Sequence, residues 1–331
     1  ANCGLYCGAN VDFVDIDPKT YNMSVEALST KLFEAEKLGR LPKVLIPVHF
    51  AGQSCDMIAI HNLSKKYGFK IIEDASHAIG ASYNQVKVGS CAYSDITVFS
   101  FHPVKIVTTA EGGAALTNSK ALADKMALYR SHGITRDEAL MENASHGGWY
   151  YEQVDLGFNY RMTELQGAVA CAQLPKLEGV IAKRRLVAAE LRDRLSDLPG
   201  ITCPQDPPDG RHAYWKWSFL VDADVVYGGA VELGARMRKL GVACAPRYVQ
   251  KPAFECQVFR QWRAHPVSRL PLQSNPRGSV DGPLYDRGDF PGAVRGLDQV
   301  VVLPINERYA SQHAAFAADA IRAAHQELTR G

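Results

Sequence analysis

The chain has 331 residues, of which 47% are hydrophobic and 22% charged, with a formal net charge of +2. That length suits two domains with a sizeable core, and so balanced a charge supplies no field for nucleic acid or an anionic membrane. No apolar run reaches the length of a bilayer span. The opening ANCGLYCGANVDF lacks the basic and apolar regions of a signal peptide. It also lacks an initiator Met, so the chain is expected to begin inside a longer protein. Eight cysteines are scattered without a CxxC or a zinc-like cluster, which points to free thiols in a reducing cytoplasm and to no metal site.

In chain order, VDFVDID (11–17) is a short apolar run ending in acids. Residues 24–37 read as a helix with Ser24 as N-cap. KVLIPVHF (43–50) reads as a buried strand and 57–67 as a helix. FKIIEDAS (69–76), ITVFSFH (96–102) and GAALTN (113–118) read as strands, and 119–130 as a helix. This alternation predicts an α/β fold with a mainly parallel sheet flanked by helices. Residues 131–162 read as an ordered loop. Thr163 caps a helix that Pro175 bends or breaks, and 178–198 continue as a charged amphipathic connector. Strands at 215–222 and 300–303 and helices at 231–240 and 310–329 make a smaller α+β domain. Residues 274–296, rich in Gly, Pro, Arg and Asp, read as a long loop. The expected division is 1–177 for a large domain and 178–331 for the connector and small domain.

In sheets of this kind ligands sit beyond the carboxyl ends of the strands. Asp74, Ser100 and Lys105 all fall at such ends. A lysine and a carboxylate there are what pyridoxal phosphate requires. The lysine forms a Schiff base with the cofactor aldehyde, and the carboxylate keeps the pyridine nitrogen protonated. Ser100 can donate to a phosphate, and the EGG that follows Lys105 lets backbone approach a bulky ligand. His77, three residues after Asp74, would reach the same face over one helical turn. It could stack on the ring, bond its phenolic oxygen, or serve only as a polar residue of the turn. No GxGxxG follows a predicted strand, which disfavours a dinucleotide-binding dehydrogenase.

EDASHAIGA, FSFHPVK, EGGA, SHGI and LGFNYRMTELQGA, in this order, resemble the signature segments of the DegT/DnrJ/StrS nucleotide-sugar aminotransferases, which are fold-type I pyridoxal phosphate enzymes. The resemblance is dense over residues 1 to about 180. SHGITRD and WYYEQVDLGFNYRM are similar to the branch that makes 4-amino sugars such as the pseudaminic acid precursor. The resemblance implies that Lys105 is the internal aldimine lysine, Asp74 binds the pyridine nitrogen, His77 lies at the ring and Ser100 binds the phosphate. Asn159 would reach the cofactor phosphate of a neighbouring subunit, making a homodimer with shared sites. Arg161 would bind cofactor phosphate or a substrate anion, or form an inter-subunit ion pair. His132 and residues 149–151 would border the sugar-nucleotide entrance. Family members begin with several dozen residues before the counterpart of Ala1, including a turn whose amides bind the phosphate. The second half follows the pattern loosely: Arg247, Tyr248 and Lys251 are candidates for a diphosphate or carboxylate, or form a solvated basic turn. The expected function is transfer of an amino group, from glutamate, to a keto sugar on a nucleotide, for surface polysaccharide, glycan or antibiotic. A non-catalytic sensing relative on the same fold is the alternative.

Overall fold

The computed structural model describes residues 1–145, 147–260 and 285–329. Among these, two four-stranded sheets carry the architecture.

After a short opening helical segment, Asn2–Tyr6, helix α1 (Val25–Lys37) starts where the Ser24 hydroxyl accepts from Ala27 N–H at 3.1 Å, and it buries Leu28 and Leu32. Strand β1 (Val44–Leu45) is followed by α2 (Met57–Tyr67), which Asp56 caps and left-handed Gly68 ends. Then come β2 (Lys70–Asp74), β3 (Ile96–Ser100) and β4 (Gly113–Leu116), in sheet order β1-β2-β3-β4. The first three strands are parallel and β4 is antiparallel to β3. The strand expected over 43–50 shortens to two residues plus a bridge from Val48 to Asp74, and 11–17 contributes only the bridge Ile16 to Met23. Pro47 explains part of the shortening, because it has no N–H to give to a ladder.

Helix α3 (Lys120–Arg130) is capped by Ser119. Helix α4 (Glu164–Gln173) opens on a capping box between Thr163 and Gln166. Pro175 sits in a single 3-10 turn between α4 and α5 (Leu177–Leu195), the break expected of it. Helix α5 links two cores. Ile181 packs with Ala75, Ala78, Phe99 and Phe101 of the first sheet. Val187, Leu191 and Leu195 pack with Trp217, Phe219 and Val301 of the second.

The second sheet is built from β5 (Ile201–Thr202), β6 (Lys216–Val221), β7 (Ala245–Pro246) and β8 (Val300–Pro304), ordered β7-β8-β6-β5 and antiparallel throughout. Helices α6 (Gly229–Lys239) and α8 (Ser311–Thr329) bury Leu233, Met237, Ala318 and Ile321 in the same core. The long loop expected over 274–296 is corrected in its last part. Phe290 to Val300 frame a helix, α7 (Pro291–Gln299), with Pro291 at its first turn and Gly292 N–H and Ala293 N–H on the Asp15 carboxylate at 2.7 and 2.8 Å. Residues 274–284 lie outside the described residues. No described helix is long and apolar enough to cross a membrane.

A polar cluster is sealed inside the first sheet. Glu73 accepts from His49 Nε2 at 2.7 Å, from Thr97 Oγ1 at 3.0 Å and from the Ser94 hydroxyl. Cys55 N–H donates to His49 Nδ1 at 3.2 Å, which leaves Nε2 to carry the proton given to Glu73. Burial pushes the Glu73 carboxyl upward, but the donors from His49, Ser94 and Thr97 outweigh it and hold the group below its usual value. A depressed carboxyl contributes stability above its ordinary pKa of 4.5 and loses it as pH falls through the lowered value. Glu73→Gln is therefore expected to cost roughly 2–3 kcal/mol near neutral pH, because it weakens several bonds to one buried charge. Urea unfolding followed by circular dichroism checks this. The gap between wild type and variant should be widest at about pH 7 and narrower at about pH 4; an equal gap at both would contradict the assignment.

Candidate active site

Strand alternation decides which groups reach the site. On β2, Ile71 and Glu73 are buried, while Ile72 and Asp74 take the other face. Asp74 Oδ1 accepts from Ser76 N–H at 3.1 Å and from Ser76 Oγ at 2.5 Å. Among the described residues its Oδ2 has no hydrogen-bond partner. Residues 75–81 do not form the helical turn expected before His77. Two successive turns replace it, closed by Ala78 N–H to Ala75 O and Ala81 N–H to Ala78 O at 2.8 and 3.0 Å. His77 still lies beside Asp74, close enough for the carboxylate to act on its ring.

Strand β3 ends at Ser100, whose hydroxyl accepts weakly from His102 N–H at 3.4 Å. A turn follows, with Lys105 N–H on His102 O at 2.9 Å. The loop returns to β4 through Phe101 N–H to Gly112 O and Thr109 N–H to Phe101 O, and Val107 plugs it into the core beside Phe99. Lys105 is thus presented from a braced loop, half-buried, with its Nζ 4.6 Å from the centre of the Trp215 ring.

Trp215 is the residue that sequence reasoning missed. It precedes β6 of the second sheet, yet its Nε1–H donates to Val104 O at 2.7 Å, next to Lys105. Its ring stacks on His77 with centroids 3.8 Å apart and planes 13° apart. Lys216 Nζ lies 4.9 Å from the centre of the same ring. Phe50 meets His77 edge-on at 6.1 Å and Tyr248 at 6.2 Å, while Tyr21 packs on Phe50 at 5.4 Å. Gly52 permits this arrangement. Its φ is +109°, and a Cβ there would stand 2.9 Å from Tyr214 N. One face of His77 is therefore occupied by Trp215, which leaves a cofactor ring only the other face. His77 Nδ1 is buried and, among the described residues, has no hydrogen-bond partner.

The electrostatics follow from this packing. Burial, reinforced by Lys105 and Lys216 against the opposing Asp74, lowers the His77 imidazole to about 4, so it is neutral at ordinary pH. Burial also lowers the Lys105 ammonium; Asp74 works against this and Lys216 with it. Lys105 is thereby biased toward the free amine that a nucleophile needs.

Other expected residues lie elsewhere. Asn159 forms a β-bridge with Ser131 and is exposed, as is Arg161. His132 adopts φ 64° and its N–H donates to Phe158 O. Arg247 is paired with Asp298 at 3.1 Å, so it is not an unopposed cation. Only Tyr248 of that turn touches the aromatic group around His77, through Phe50. Trp149, Tyr151, Leu156, Phe158, Tyr160 and Leu165 are exposed and form an apolar stretch before and into α4.

The model of the DegT/DnrJ/EryC1/StrS aminotransferase family matches residues 1–276. An uncharacterized protein of Methanocaldococcus jannaschii is 31% identical over 293 residues, covering 88% of this chain and 68% of its own length. The UDP-4-amino-4,6-dideoxy-N-acetyl-beta-L-altrosamine transaminase of Campylobacter jejuni is 41% identical over 189 residues, covering 57% of this chain and 46% of that protein. The chain thus spans between about half and two thirds of the length of these relatives. The crystal structure of a DegT DnrJ EryC1 StrS aminotransferase from Brucella abortus superposes with a TM-score of 0.76 at 26% identity, over 96% of this chain and 74% of that one. The expected fold-type I α/β architecture is the one that this chain adopts, and it belongs to the DegT/DnrJ/EryC1/StrS aminotransferase family.

Proposed function

We propose that the protein is a pyridoxal phosphate-dependent aminotransferase that moves an amino group from glutamate to the keto carbon of a nucleotide-linked sugar. The observation that carries this reading is the pairing of Lys105 and Asp74. Asp74 ends one strand and Lys105 lies in the loop that follows its parallel neighbour, close enough for the carboxylate to act on the ammonium, yet neither is neutralised in an ion pair among the described residues. The sugar-nucleotide substrate is supported by the name of the Campylobacter relative.

The residues present fit the cofactor. His77 Nδ1 is a buried polar atom awaiting a partner, and Asp74 Oδ2 is an acceptor awaiting a donor. When bound, pyridoxal phosphate supplies an electron sink that lets a C–H bond beside nitrogen ionise. Lys105 Nζ would hold the cofactor covalently and, once displaced by the incoming amine, carry the proton from one carbon to the other. Asp74 Oδ2 would accept a hydrogen bond from the protonated pyridine nitrogen. His77 Nδ1 would meet a polar atom of the ring's substituents, and Ser100 Oγ would donate to the phosphate. Asn159 and Arg161, exposed beside the apolar stretch that leads into α4, would serve the site of a second copy. The exposure of that apolar stretch supports a homodimer, in which it would be buried.

Amine transfer from glutamate to a UDP-linked 4-keto sugar tests the reading. Lys105→Ala should abolish turnover, and Asp74→Asn should lower kcat by roughly 10²- to 10⁴-fold as ring protonation is lost. Full activity in Lys105→Ala would overturn the mechanism. A second expectation concerns the imidazole. In a sample with isotope-labelled histidine, the resonance assigned by loss in His77→Asn should not titrate between about pH 5.5 and pH 8. A midpoint near the ordinary imidazole value of 6.5 would show that the packing against Trp215 does not suppress its charge.

A further inference from the structure

Lys216 is a second cation in the site and has no role in the reading above. It stands at the first position of β6, held in register opposite Pro304. The preceding backbone is fixed by the buried Arg184, whose Nη1 donates to Tyr214 O at 3.3 Å and to Ile305 O at 2.7 Å. Arg184 is itself balanced by Glu307 at 3.1 Å. Lys216 is only partly exposed, and among the described residues no carboxylate pairs with it. It leans over the Trp215 ring that also receives Lys105. A half-buried ammonium without a counter-ion keeps its desolvation cost unless a ligand offsets it.

We propose that Lys216 anchors the α-carboxylate of the amino donor. This rests on the aminotransferase reading. The argument is one of reach. The donor's amine must replace Lys105 Nζ, and its carboxylate is attached to the carbon that bears that amine. An anion there lies beside Lys105, in the space that Lys216 faces across Trp215. The diphosphate of a sugar nucleotide is separated from the reacting ketone by the hexose ring and belongs farther out. The cofactor phosphate has its own donor in Ser100. Burial lowers the Lys216 ammonium, with Arg184 adding to it, so a bound carboxylate would restore the charged form.

Isothermal titration of the cofactor-loaded protein with glutarate, an amine-free dicarboxylate, tests the assignment. Lys216→Gln should weaken glutarate binding by about tenfold or more, the loss of one charge-assisted contact. Lys216→Arg should recover most of it, while the affinities for pyridoxal phosphate and for UDP stay as in wild type. Unchanged glutarate binding in Lys216→Gln overturns the proposal. So does weakened binding of pyridoxal phosphate, which would make Lys216 a cofactor-phosphate residue, or of UDP, which would make it a nucleotide residue. If wild type itself takes up no pyridoxal phosphate, the aminotransferase reading fails instead, and the two failures are distinguishable.

Discussion

The site depends on one hydrogen bond, from Trp215 Nε1 to Val104 O. The two partners are 111 residues apart and adjoin strands of different sheets. Through that bond the start of β6 is fastened to the loop that carries Lys105. The same indole stacks on His77, which follows Asp74. One side chain therefore sets the relation between the ends of β2 and β3 and the second sheet. Its own position is determined from below. Arg185 grips Asp206 with two bonds, Asp206 accepts from His212 N–H, and His212 stacks on Tyr214 at 3.9 Å. Burial lowers His212 to about 3, so it remains an uncharged acceptor for Tyr214 N–H at 2.8 Å.

The two faces of β2 divide structure from chemistry. Glu73 faces inward, where donors from His49, Ser94 and Thr97 spread its charge over the interior. Asp74, one residue on, faces the site with one oxygen committed to Ser76 and the other without a partner among the described residues. Adjacent carboxylates thus have separate tasks, assigned by the pleat alone. The buried cluster secures the strand end, which lets Asp74 keep an open oxygen without the chain end drifting. Across from it, two lysines and a neutral imidazole crowd one indole. The excess positive charge suits a site whose proposed ligands, a cofactor phosphate and amino-acid carboxylates, are anions.

The local features were legible in the chain. Ser24 and Thr163 cap the helices expected of them, because a hydroxyl before an apolar-periodic run satisfies the first free N–H groups. Asp74 and Lys105 could be placed at strand ends because the runs before them are short, apolar and β-branched. Trp215 and Lys216 were read only as the opening of a strand. Nothing in HAYWKW announces that its indole will cross to another sheet, since long-range partners leave no periodic mark. Helix α7 was hidden by Gly and Pro at its start, which mark loops unless a first-turn partner such as Asp15 satisfies the amides. The pairing of Arg247 with Asp298 was equally invisible, and it withdraws from the site a cation that composition alone would have left there.

The central claim is that the geometry selects Lys105, and not the neighbouring Lys216, as the amine that captures the cofactor. Borohydride reduction of the protein mixed with pyridoxal phosphate, followed by peptide mass mapping, tests it directly. The account predicts a reduced adduct on the peptide bearing Lys105, and none on any lysine in Lys105→Ala. An adduct centred on Lys216, or undiminished labelling after the loss of Lys105, would contradict it.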